Sequence, residues 1–306
     1  MLLMVALITM VPHLRADERR APAPKFSAGQ TRGVFFNDLN EAFRGARPSL
    51  SSIRKSSNAA VTSAATANSP TAVESAEDAW SPLISPISLE DEIKRMRLHY
   101  DTVVTTPGAF NSGGYQEARL DLTVLATLFA VIHEHRGEVR WKDQAAAARD
   151  LLARTAFNCK AGSTQVYNEA KLRKADLQDL LSGSGLSSRD AEPENDWSMI
   201  ADRSPLMEYA ENLINALEDA SRDAGSVKRE TDLIKRNAEL LSMFGEVLTR
   251  EGLDESDDED YTGLSRRMME ESKKVTVAIE RGDADAVRTG VSAIRQRCDA
   301  CHEQYR

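Results

Sequence analysis

Two thiols and an imidazole stand at the end of the 306-residue chain: Cys298-Asp299-Ala300-Cys301-His302. On a helix, positions three and four apart share a face. Cys298, Cys301 and His302 can therefore serve a single group. The spacing Cys-x-x-Cys-His is the signature of covalent c-type haem attachment. Two thiols reach the two vinyl groups as thioethers, and the adjacent imidazole turns toward the iron as its proximal ligand. Two other chemistries use paired cysteines. A zinc half-site needs a second ligand pair, which Cys159, His13, His99, His133 and His135 do not supply at zinc spacing. A thioredoxin-like redox pair belongs in a βαβ context, whereas this region reads as helical.

The elements that must position these residues follow from periodicity. Aromatic residues are 6% of the chain, and Gly (16) and Pro (10) are sparse. That composition suits helices rather than a sandwich or barrel. Helical spacing runs over 89–104, 115–136, 139–157 and 164–181, then, after a Gly/Ser/Asp/Glu/Pro stretch, over 205–222, 227–250, 261–281 and 283–305. The fold class expected is all-α: two up-and-down bundles of about 100 residues each. Leu206, Ala210, Leu213, Leu217 and Ala220 form a 4-3-4-3 stripe, and Val287, Val291, Ile294, Cys298, Cys301 and Tyr305 continue one in the last helix. The cysteines thus sit on a core-facing seam. Leu125-Ala-Thr-Leu-Phe129 through Gly137 resembles Leu240-Leu-Ser-Met-Phe244 through Gly252 at a constant offset, which raises a duplicated bundle.

Upstream, residues 1–11 (MLLMVALITMV) have the length of a secretory h-region, and 1–16 is read as a signal peptide although a positive n-region is missing. Residues 17–86 are Ser, Ala and Pro rich with no sustained period, and are read as a disordered tether. The division expected is 1–16 signal, 17–86 tether, 87–183 a bundle without covalent haem, 184–204 linker and 205–306 the haem domain. The net charge is −9; residues 1–85 carry 9 basic and 7 acidic groups, so the acidity belongs to the helical part. An acidic surface argues against nucleic acid as a partner. No apolar run is long enough for an ordinary transmembrane helix.

The C-terminal hundred residues resemble the cytochrome c′ family (class II cytochromes c). Residues 280–288 (ERGDADAVR) and 298–306 (CDACHEQYR) look like the end of that family, and 234–242 (IKRNAELLS) is similar to its second helix. Those proteins are four-helix bundles whose haem hangs from the last helix. The resemblance implies Cys298 and Cys301 as thioether anchors, His302 as proximal iron ligand, and Arg306 as a basic residue beside the proximal face. It also makes the first helix decide the sixth iron position. A Met there favours electron transfer, and Met207 is the candidate; otherwise Leu206, Leu213 or Ile214 would wall off the distal face and leave five-coordinate iron able to bind NO or another small gas. The expectation is one covalent haem c in an exported, periplasmic or otherwise extracytoplasmic electron carrier, not an enzyme, with a redox partner protein. The alternatives are a gas-binding haem and a helical interaction scaffold with a structural haem. Family members often dimerise through their first two helices, so a homodimer is a candidate assembly.

Other features read as structural. The acidic run 254–260 lacks calcium-loop spacing and is expected to be a solvated inter-helix loop, able to help dock a cationic redox partner. Cys159 has no haem motif around it and reads as a buried thiol. Trp141 and Trp197 read as packing residues, as does Tyr305 on the seam.

Overall fold

The computed structural model describes residues 79–187 and 190–305, which lie within one compact unit, Ser75–Arg306. The expected signal peptide, most of the tether, and Arg306 lie outside the described residues. Within them the chain is all helical, with no strand. Among the described residues no helix is long and apolar enough to cross a membrane.

Eight long helices carry the fold: α1 (Pro86–Val103), α2 (Tyr115–Glu134), α3 (Ala145–Asn158), α4 (Thr164–Ser182), α5 (Arg203–Ala220), α6 (Thr231–Val247), α7 (Glu259–Glu280) and α8 (Ala284–His302). In α1–α4 each helix packs on the next and α4 returns to α1; α5–α8 close a second ring in the same way. The rings meet where α2 lies against α5 and α1 against α6.

Local chemistry sets the helix ends. Ser85, Ser163 and Asp283 cap α1, α4 and α8 by accepting from the backbone N–H groups of Ser88, Val166 and Ala286. Gly183 ends α4 at φ 90°, a left-handed conformation open to glycine. Two helices differ from their sequence reading. The span expected at 139–157 becomes a helix only at Ala145, because Trp141 adopts φ 67° and turns its ring edge-on to Phe129, with centroids 6.4 Å apart. The span expected at 227–250 divides at Glu230 into Ala224–Arg229 and α6, and α6 stops at Val247.

Burial explains α2. Asp121 through Ile132 are all buried, because helices of both rings cover it, which is why its sequence is apolar on every side. The structured part also begins before position 86: Trp80, Leu83 and Ile84 are buried, and the Trp80 indole N–H donates to Glu134 at 2.6 Å. Residues read as linker are likewise bound to the core. Leu186, Trp197 and Ile200 are buried, and the Asn195 amide donates to the Ala130 carbonyl at 3.0 Å while accepting from Arg149 at 2.6 Å.

Candidate functional site

Val287, Val291 and Ile294 bury one stripe of α8. Gly290 lets that helix approach α7 closely: a Cβ there would stand 2.6 Å from a methyl of Val275. One turn beyond Ile294 the same stripe presents Cys298, then Cys301, both half-buried, with His302 exposed at the helix end.

These three residues line one apolar cavity with Met207 and Ala210 of α5, Leu248 after α6, and Tyr261, Leu264 and Met268 of α7. Its enclosed part is about 40 Å³. It adjoins a cleft of about 780 Å³, and Met207, Tyr261, Cys301 and His302 line both spaces. Arg203, Asp254, Asp299, Glu303 and Tyr305 complete the cleft.

The sequence-predicted residues Cys298, Cys301, His302 and Met207 therefore come together at one end of the second ring. Leu206, Leu213 and Ile214, named as alternative distal walls, line neither space; they are buried in the core between the helices. Met207 lies one position off that seam, and this offset turns it toward the cavity. Tyr305 does more than pack. Its ring meets Tyr261 edge-on at 5.2 Å, and its hydroxyl donates to Asp258 at 2.9 Å. Asp258 also caps α7, so the acidic run anchors the end of the site.

Burial raises the Cys298 thiol to about 11, and it is the largest influence raising Cys301 as well. A redox-active cysteine works as a thiolate, so this environment does not favour that use. Among the described residues, no group of three or more His, Cys, Asp or Glu is placed to hold a metal ion. The donor set does fit a haem: two protonated thiols and an imidazole share an apolar wall. The buried hydroxyl of Ser265, which lines the cavity, has no hydrogen-bond partner in the protein, as expected where another group belongs. Arg203 places its guanidinium over the Tyr261 ring, 5.8 Å from the centroid.

Sequence reading missed Tyr261, Leu248, Leu264 and Met268. The spacing of Tyr261, Leu264 and Met268 was visible as a helical stripe, but not which end of the bundle it would wall. Cys159 is fully buried, and burial pushes its thiol up to about 12.

A helical bundle whose last helix brings a Cys-x-x-Cys-His to an apolar cavity defines the class of a c-type haem protein. The comparison with protein families agrees: residues 255–306 match the family model described as Cytochrome C′. The C-terminal part is thus similar to cytochromes c′, as its motifs indicated. No curated protein and no solved structure matches the chain.

Proposed function

We propose that this chain is an exported haem protein that carries one covalent haem c and transfers electrons in the periplasm. The observation that carries the reading is that Met207 of α5 lines the same cavity as Cys298, Cys301 and His302. A bound haem would supply a one-electron iron couple. Cys298 and Cys301 would each add S–H across a vinyl group, leaving a C–S bond, and His302 would hold the iron from the proximal side. Met207 would offer its thioether to the iron, which would raise the reduction potential. Leu248, Leu264 and Met268 give the cavity an apolar wall. Arg203 and Arg297 are the cations at the cavity rim able to pair with the haem carboxylates.

Asp254, Asp299 and Glu303 on the cleft give the rim a negative charge suited to a cationic redox protein. The role is that of a carrier rather than a catalyst. Extracytoplasmic location follows from the chemistry, since bacterial haem ligation to this motif takes place outside the cytoplasmic membrane.

Absorption spectra of the holoprotein, oxidised and reduced and with and without NO, test the proposal. A low-spin spectrum with a methionine charge-transfer band that Met207→Ala abolishes is the expected result. A high-spin spectrum that NO changes and Met207→Ala does not would replace electron transfer with gas binding. Covalent haem surviving Cys298→Ser with Cys301→Ser would overturn the attachment itself.

A further inference from the structure

The two rings correspond more closely than their shared topology requires. Helices α1 and α5 are each 18 residues long and begin 117 positions apart, at Pro86 and Arg203. The same offset relates their N-caps, Ser85 and Asp202, and the tryptophans before them, Trp80 and Trp197. Helices α4 and α8 are both 19 residues long.

The contacts across the rings are reciprocal at the level of helices, α1 against α6 and α5 against α2. On α1, the Ser85 cap is held by Glu239 of α6, which accepts from its backbone N–H at 3.0 Å and its hydroxyl at 2.7 Å. On α5, the Asp202 cap is held by Arg119 of α2. Residues that correspond by the offset also meet each other. Trp80 and Trp197 have ring centroids 5.8 Å apart. Glu92 accepts from the hydroxyl of Tyr209, 117 positions on. In a two-fold assembly a residue meets its own equivalent only at the axis.

One corner differs. Where α8 ends in Cys298-x-x-Cys301-His302, α4 carries Leu177-x-x-Leu180-Leu181 within one residue of the same place along the helix. Leu177 and Leu180 are buried, Leu186 folds back against them, and only about 10 Å³ of void remains between α3 and α4.

We propose that the first ring is a haemless counterpart of the second, paired with it about a local two-fold axis, and that this built-in partner holds α5, and Met207 with it, in place. The part concerning Met207 rests on the haem reading above; the pairing does not. The grip is specific. Glu92 is fully buried on α1 and accepts from Arg95 Nε at 3.1 Å, with Arg236 of α6 3.3 Å away. Its bond to Tyr209 falls two residues from Met207, and the Arg119 pair fixes the same helix at its start.

Hydrogen exchange of the α5 amides in the full chain tests the grip without haem, using the Cys298→Ser, Cys301→Ser background. Glu92→Gln should speed exchange in α5 roughly tenfold, as loss of a hydrogen bond to a buried charge implies. Arg119→Ala, at a half-exposed site that will not unfold the chain, should speed the first turn of α5 by a smaller factor. Leu177→Ala, on the far side of the first ring, should lower the melting temperature and leave α5 local exchange unchanged. In the holoprotein, Glu92→Gln should weaken the methionine band where Leu177→Ala does not. Unchanged α5 exchange in both grip variants, or equal change in all three, would overturn the proposal. A parent chain without covalent haem would sink the haem reading alone, because the exchange comparison would still decide the grip.

Discussion

The first and second rings solve one packing problem with two different corners. Both close four helices, start with an 18-residue helix and end with a 19-residue helix. At the end of α4 the space between helices is filled by Leu177, Leu180 and Leu186; at the end of α8 it is left open and lined by Cys298, Cys301, His302 and Met207. The scaffold is therefore indifferent to function, and a few side chains at one corner determine whether it can hold a ligand. The open corner at the end of α8 gives up the burial that leucines provide, and the surrounding helices must supply the missing stability.

The core makes the largest test of that comparison. Phe129 of α2 and Phe244 of α6 are both fully buried and lie at corresponding places in the two rings. Replacing either by Ala should cost about 3 to 5 kcal/mol. The two should differ in what else they disturb. Phe244 meets Tyr209 edge-on at 5.8 Å, so its loss also loosens the Glu92 contact, whereas Phe129 packs on Trp141 within the first ring. Urea unfolding of the full chain measures the cost. A methionine band weakened by Phe244→Ala alone would sharpen the asymmetry, and equal effects on the band would break it.

A smaller effect comes from a buried carboxylate confined to the first ring. Asp121 is 1% exposed, and burial raises its pKa to about 6, opposed by its hydrogen bond to His99 Nδ1 at 2.8 Å. Arg95 favours the charged form and Glu117 opposes it. Because the folded pKa lies above the usual carboxylate value, the native state holds this proton more tightly than the unfolded chain. The resulting stability is fully present below about pH 4 and is lost as pH rises through about 6. It amounts to on the order of 2 kcal/mol. Stability measured from pH 4 to 7 should fall by about that much from this group, and Asp121→Asn should flatten the window. The position corresponding to Asp121 in the second ring, by the offset of the Leu125 and Leu240 helices, is Arg236, so the slope belongs to one ring.

How much of this was legible beforehand follows a physical boundary. Helix positions came from apolar spacing and caps, which are local properties. The haem corner came from five consecutive residues whose geometry on a helix is fixed. Placement of Met207 depended on the end of a bundle, where a residue one step off the seam turns toward the cavity. The roles of Tyr261 and Met268 required knowing which helices close the ring. Trp80 was read as tether because it follows a long Ser/Ala stretch, and only its stacking on Trp197 shows that the folded part already includes it. Two halves with a matching offset were visible around Leu125 and Leu240, but not the contacts that pair them, because those join residues 83 to 154 positions apart.

The smallest expected effect concerns how each ring closes its last helix on its first. In the second ring Arg295 of α8 reaches three residues of α5: Glu211 at 2.9 Å, Asn215 at 2.5 Å and Glu218 at 3.0 Å. In the first, Lys174 of α4 reaches Asp101 of α1, donating to its carbonyl at 2.9 Å with the carboxylate 3.7 Å away. A planar guanidinium satisfies several acceptors at once, whereas an ammonium acts as a point charge. Both closures are at the surface, where ion pairs contribute little. Arg295→Ala should therefore lower stability by about 1 kcal/mol, and Lys174→Ala by only a few tenths, read as urea midpoints at unchanged slope. Raising the salt concentration should shrink the Arg295 effect, because exposed charges are screened. Arg295 lies one turn before Cys298, and Glu211 lies one turn after Met207 on the cavity wall. A stability loss at Arg295 accompanied by a shift in the methionine band would mean that the second ring needs a closure that the leucine-filled ring does without. Equal losses at the two sites, insensitive to salt, would mean that the corners differ in ligand alone and not in how the helices around them are held.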